Sequence, residues 1–149
     1  MIKSILVAVD GSENSDKALD FALDLAEKYS AAVTVLNVSE APGIGILPQE
    51  PIDFSASSIM VVSRDFRRLH EEILNRVVAH AKALKPNVAV ASRLREGNPA
   101  SEIVATAKEG GVDVVVVGHG GAGRVEEFLM GSVSERVAHL APCPVIIVR

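Results

Sequence analysis

Apolar positions along this chain follow two rhythms in turn. Ile5-Leu6-Val7-Ala8-Val9 is an unbroken run ended by Asp10-Gly11. It is short and rich in β-branched residues, the pattern of a strand covered on both faces. Ala18, Ala22, Leu25, Ala26 and Tyr29 then recur at helical spacing, with Asp16, Asp20, Asp24 and Glu27 largely opposite them. Ser12 fits an N-cap, so the pattern predicts a helix from about Glu13 to Tyr29. Val33 to Val38 reads as a second strand. Ser39 to Ser58 carries Pro42, Pro48 and Pro51 with Gly43 and Gly45, and reads as a long loop. Ile59, Val62, Phe66, Leu69, Ile73, Val77, Ala81 and Leu84 step by threes and fours, predicting one long amphipathic helix closed by Pro86.

Val88 to Leu94 reads as a third strand. Asn98-Pro99 opens another helix, because Asn98 can cap it and Pro99 suits a first position where no amide donor is needed. Ile103, Val104 and Ala107 supply its buried side, and Gly110-Gly111 its end. Val112 to Val117 predicts a fourth strand, Ser132 to Leu140 a short helix, and Val145 to Val148 a fifth strand. Strands alternating with helices in this way imply an α/β fold, a five-stranded parallel sheet with helices on both faces and right-handed crossovers. In such sheets ligands lie beyond the carboxyl ends of the strands, where strand order reverses. Those ends carry Asp10-Gly11, Ser39-Glu40 and Gly118-His119-Gly120-Gly121.

Composition narrows the classes. A length of 149 residues fits one domain, 1–149, able to bury a sizeable core without staples. A single cysteine excludes an internal disulfide framework and a Cys-based zinc site. No apolar run reaches the ~18–20 residues of a membrane span. Met1-Ile2-Lys3-Ser4 opens no signal peptide, so a cytoplasmic protein without a membrane partner is expected. The net charge of -4 argues against a nucleic-acid partner, which calls for a basic face. With four Phe, one Tyr and no Trp, a planar ligand would rest mostly on aliphatic side chains.

The chemistry concentrates after the fourth strand. Gly118-His119-Gly120-Gly121-Ala122-Gly123 leads to Gly131-Ser132-Val133-Ser134. Glycines let a phosphate approach bare backbone amides. A helix starting at Gly131-Ser132 adds free amides and a positive dipole end, and the Ser132 and Ser134 hydroxyls could add donors. Three readings compete. The glycines can simply turn the chain. Gly118, Gly120 and Gly123 also match G-x-G-x-x-G, but a dinucleotide fingerprint follows a first strand and needs an acid ~20 residues on. Here that distance ends near Cys143, between two prolines. A P-loop fails because no Lys precedes Ser132.

The third reading is a resemblance. Gly118-x-x-Gly121, nine residues, then Gly131-Ser132 resembles the G-x2-G-x9-G-[S/T] nucleotide motif of the universal stress protein family. The likeness covers the whole chain. Ile5 to Ser12 resembles the family's opening strand and turn, Gly97-Asn98-Pro99-Ala100 its turn before the third helix, and Val114 to Gly118 its V-V-V-G segment. Gly131 to Val137 and Ala141-Pro142-Cys143-Pro144-Val145 are similar to its closing consensus. The resemblance implies a Rossmann-like sheet of order 3-2-1-4-5, ATP as ligand (with AMP or ADP possible and Mg2+ accompanying the phosphates), and a homodimer paired through the last strand, Val145–Val148. It places Asp10 on the ribose, Ala8 and Val9 along the nucleoside, and the Val38 backbone on adenine. Val117, Gly118, Gly121, Gly131, Ser132, Val133 and Ser134 would surround ribose and phosphates.

Other residues are weighed against plainer roles. Asp10 would repel phosphates, so it should face ribose hydroxyls or a metal ion, or else serve as a turn residue. His119 has no nucleophile or carboxylate partner that sequence can place, and no catalytic residue is assigned. Arg124 either reaches the terminal phosphate or stays solvated. His70, His80 and His139 are expected at helix surfaces or edges, without metal-ligand spacing. Cys143 is expected to pack rather than react. An apolar edge strand such as Val145–Val148 invites a partner strand. The expected role is sensing by nucleotide occupancy. The alternatives are a dimeric interaction module that uses no nucleotide, and a slow ATPase or a protein autophosphorylated on Ser132 or Ser134.

Overall fold

The computed structural model describes residues 1–40, 56–120 and 130–149. Its centre is β1 (Ser4–Ala8), which pairs in parallel with β2 (Ala32–Ser39) on one side and β4 (Val114–Gly118) on the other. β3 (Val90–Glu96) and β5 (Val145–Val148) close the two edges, giving the order β3-β2-β1-β4-β5 with every pairing parallel. Four helices connect them: α1 (Glu13–Tyr29), α2 (Ala56–Leu84), α3 (Pro99–Gly110) and α4 (Ser132–Leu140).

Strand parity decides which helix meets which face. Ile5, Val7, Val33, Val35, Val114 and Val116 share one core cluster with Ala18, Leu19, Ala22, Leu23 and Ala26 of α1 and with Leu74, Val77 and Ala81 of α2. Leu6, Leu36, Val115 and Val117 point the other way, onto Ala100, Ile103 and Ala107 of α3 and Val137 of α4. The sheet is therefore covered on both faces, which is why β1 and β4 read as continuous apolar runs. Each fully buried aliphatic side chain contributes roughly 1.5–3 kcal/mol of transfer free energy.

Helix ends follow their sequence signals. Ser12 Oγ accepts from the Ser15 amide at 3.3 Å, and Asn98 Oδ1 accepts from the Ser101 amide at 3.1 Å. Pro99 takes the first turn of α3, and Gly111 ends it at φ 54°. The predicted boundaries shift where side chains intervene. β4 starts at Val114 rather than Val112, because Asp113 is an anchor: its Oδ2 accepts from the amides of Lys3 (2.7 Å) and Ser4 (3.0 Å). β3 starts at Val90 rather than Val88, since the Val88 amide closes a turn onto Lys85 O at 3.1 Å. The stretch read as loop is taken up at both ends, since β2 runs on to Ser39 and α2 begins at Ala56; residues 41–55 lie outside the described residues. Lys85 at its far end ties α2 to Asp24 (3.0 Å) and Glu27 (2.6 Å) of α1. Among the described residues, no helix is long and apolar enough to cross a membrane.

Candidate functional site

The carboxyl ends of β1, β2 and β4 are built by three different local devices. At β1, Asp10 Oδ1 accepts from the Ser12 amide at 2.9 Å, a short side-chain turn that delivers the chain into α1. Gly11 holds φ +84°, a conformation that strains residues with a Cβ. Asp10 is exposed, so its other carboxylate oxygen is open to solvent beside this turn.

At β4, Gly118 is fixed by packing. A Cβ there would lie 2.8 Å from the backbone C and O of Asn14 in the first turn of α1. Asn14 in turn donates from Nδ2 to Gly120 O at 3.1 Å. The next peptide is held from two sides. The His119 amide donates to Val148 O of β5 at 2.7 Å, and His119 O accepts from the Gly131 amide at 2.8 Å. The start of the glycine-rich segment is thus fastened to α1, to β5 and to the entry of α4.

The N-cap of α4 is Gly131, which has no side chain and makes no side-chain cap bond. The amides of its first turn therefore lack the usual cap, while Ser132 and Val133 are exposed. Ser134 is different. It is buried, and its hydroxyl donates toward Gly131 O (2.9 Å) and His119 O (3.1 Å). Its proton is committed to the fold rather than offered outward.

At β2 the ladder gives the third device. The Val9 amide donates to Leu36 O at 2.9 Å, so a regular parallel ladder would next join the Val38 amide to Val9 O. Instead Asn37 Nδ2 takes Val9 O at 2.7 Å. Bonds to β3 come from the odd-numbered residues of β2, as Val33 and Ser39 show, so the Val38 N–H and C=O face past the end of β1. Among the described residues neither has a hydrogen-bond partner. The Val38 side chain, with Ala8 and Val117, packs on the α3–α4 face. These three aliphatic groups therefore share one face at the strand ends. Val9 does not join them, because its side chain is buried on the α1–α2 face and only its peptide reaches the rim.

Among the described residues, the basic side chain opposite Val38 is paired. Arg95, opposite Val38 on β3, pairs with Glu102 (2.9 Å) and Glu109 (2.9 Å), which raise its pKa further, Glu109 most. Gly121, Gly123 and Arg124 lie outside the described residues. No group of three or more His, Cys, Asp or Glu able to hold a metal occurs among the described residues. A cavity of about 290 Å³ lies on the outer face of α4, lined by Ser132, Glu135, Arg136, His139 and Leu140. It lies along the helix, whereas the three devices converge on the strand ends.

Two contributors escape the apolar pattern. Asn37 is fully buried, and His70 Nδ1 lies 2.6 Å from its Oδ1. Of the two positions expected for it, surface or edge, His70 takes the edge: it is half-buried and stacked on Phe66, with a polar partner the helix pattern did not reveal. Its one sequence signal is Asn37 itself, a lone polar residue inside Val35-Leu36-Asn37-Val38. The whole arrangement offers an aliphatic face for a flat ring, an open backbone donor and acceptor beside it, and uncapped amides for an anion.

Known proteins share this fold. The model of the universal stress protein family matches residues 1–149. Universal stress protein YxiE of Bacillus subtilis is 36% identical over 157 residues, covering 100% of both chains. The structure of universal stress protein UspA from Lactobacillus plantarum superposes with a TM-score of 0.82 at 24% identity, over 99% of this chain and 98% of that one, a likeness of fold. A universal stress protein crystallised in complex with cAMP superposes with a TM-score of 0.69 at 26% identity, over 99% of this chain and 97% of its own. The chain belongs to the universal stress protein family.

Proposed function

We propose that this chain binds ATP at the carboxyl ends of β1, β2 and β4 and acts as a stress-response or signalling module read out by nucleotide occupancy. The observation that carries this reading is the open Val38 peptide beside the aliphatic face of Ala8, Val38 and Val117. A base edge bonds to the N–H and C=O while its ring lies on aliphatic side chains. Asp10 takes the ribose hydroxyls with its solvent-facing oxygen. The phosphates run toward Gly118, Gly121 and the start of α4, where the amides of Ser132, Val133 and Ser134 meet them. A relative at 26% identity holds cAMP, which contains the same adenosine unit. AMP and ADP share the base and ribose contacts. Mg2+ travelling with the phosphates would supply countercharge beside them.

The reading extends to the assembly. The chain acts as one domain and pairs with a second copy through β5. The edge strand β5 is Val-Ile-Ile-Val, half-buried and without a charged residue, whereas the other edge, β3, carries Arg93, Arg95 and Glu96. Charges on an edge discourage strand addition, and an apolar edge invites it. Mass spectrometry of ligand released from the purified protein tests the central part. Copurified or readily reloaded ATP supports it; no nucleotide bound even after incubation with excess ATP contradicts it.

A further inference from the structure

The ladder between β1 and β2 stops one bond short, and a side chain stops it. Asn37 is 0% exposed, so both ends of its amide must find partners. Nδ2 donates to Val9 O at 2.7 Å and Oδ1 faces His70 Nδ1 at 2.6 Å. The orientation of the amide is forced. Val9 O only accepts, so the NH2 group must face it and Oδ1 must face His70. His70 Nδ1 therefore carries a hydrogen. That holds in one neutral tautomer and in the cation alike, so the link does not depend on the charge of the ring. Phe66 backs the ring, with centroids 6.4 Å apart and planes 28° from parallel.

We infer that Asn37, oriented by His70, is the positioning residue that keeps the Val38 amide open for the ligand's base. The inference rests on the nucleotide reading for the identity of the ligand, but its structural half stands apart from it. By donating to Val9 O at 2.7 Å, the Asn37 side chain takes the position from which the Val38 N–H would otherwise approach that acceptor. The two strands then present an unpaired donor and acceptor at their carboxyl ends, on the rim where Ala8 and Val117 supply the apolar wall. The base it suits is a flat heteroaromatic ring carrying a hydrogen-bond acceptor next to a donor, as the adenine edge does. Leucine at position 37 keeps the branched outline of asparagine but has no amide. Val9 O would then be left with the Val38 N–H as the donor in ladder position, and the strand would zip one bond further.

Residue-resolved hydrogen exchange at the Val38 amide, with and without ATP, tests this in the wild type, Asn37→Leu, His70→Ala and His70→Gln. In the ATP-free wild type the amide should exchange fast, and ATP should slow it. In Asn37→Leu it should already be slow without ATP, and ATP affinity should fall about tenfold, the worth of one net hydrogen bond to the ligand. His70→Ala should shift both readouts the same way. His70→Gln, whose amide can still donate to Asn37 Oδ1, should restore them, a rescue that loss of packing alone would not give. Fast exchange at Val38 in a folded Asn37→Leu, with wild-type ATP affinity, overturns the inference. If Asn37→Leu does not fold, identical behaviour of His70→Ala and wild type overturns it equally. A wild type that binds no ATP would remove the nucleotide reading, while the ATP-free exchange comparison would still decide the role of Asn37.

Discussion

Asp10 has a turn role seen in the structure and a proposed ribose role, and the two separate by substitution. Oδ1 accepts from the Ser12 amide, a turn bond that asparagine can keep and alanine cannot. Asp10→Asn should therefore melt like the wild type, while Asp10→Ala loses up to about 1 kcal/mol in urea unfolding. Calorimetry should show ATP affinity reduced about tenfold or more in both, because a charged acceptor for the ribose is gone. Equal ATP affinity in all three would reduce Asp10 to a turn residue. Gly118 makes the opposite point. The glycine motif suggested a phosphate cradle, but the nearest reason for this glycine is the backbone of Asn14 at 2.8 Å from any added Cβ. Helix backbone cannot step aside, so Gly118→Ala should cost about 1–3 kcal/mol in urea unfolding even without nucleotide. A neutral substitution would show that α1 moves more freely than this packing allows.

At the scale of elements, the order of strands and helices was legible because buried parallel strands and amphipathic helices leave different periods in the sequence. Ser12, Asn98 and Pro99 marked helix starts that the structure bears out. Boundaries were less legible, because single side chains set them. Asp113 ends one loop by binding two amides across the sheet, and Asn37 ends a ladder by taking one carbonyl. Neither act leaves a periodic trace. The same limit hid His70, whose partner is 33 residues away in sequence. The Asp113 anchor has a pH signature. Amide donors from Lys3 and then Ser4 hold its carboxyl below the ordinary carboxylate range. A carboxyl with a lowered folded-state pKa adds stability above its unfolded value near ~3.9, and loses it as pH falls through the folded value. Wild-type stability should thus decline below about pH 4 more steeply than that of Asp113→Asn, as read by urea midpoints across that range. Parallel declines would deny the anchor its part.

At the scale of the whole molecule, the two sheet edges differ, and the difference forms a test of assembly. Pro144, just before β5, and Val148 within it face β4, with carbonyls that accept from Val115 (3.0 Å) and His119 (2.7 Å), and Ile146 between them faces the same way. By alternation, the Val145 and Ile147 amides face outward. Ile147→Pro removes one outward donor while sparing the ladder to β4, a substitution that an edge strand tolerates. Sedimentation at micromolar concentration should find the wild type dimeric and Ile147→Pro shifted to monomer; two identical profiles would place any dimer contact elsewhere. The framework of the candidate site was partly legible. Sequence located the strand ends and the α4 entry, and the structure brings Ala8, Val38 and Val117 onto one face. Val9 and Ser134 turned out to give their side chains to the fold, which no local pattern announces.

The most direct test of the account is an ATP titration followed by backbone amide resonances of the isotope-labelled protein. Binding at the strand ends should give saturable shifts, at one ATP per chain, centred on Val38 at the end of β2 and on Ser132 and Val133 at the start of α4. Saturation that leaves Val38 unmoved, or shifts confined to the outer face of α4 around Arg136 and His139, would contradict it.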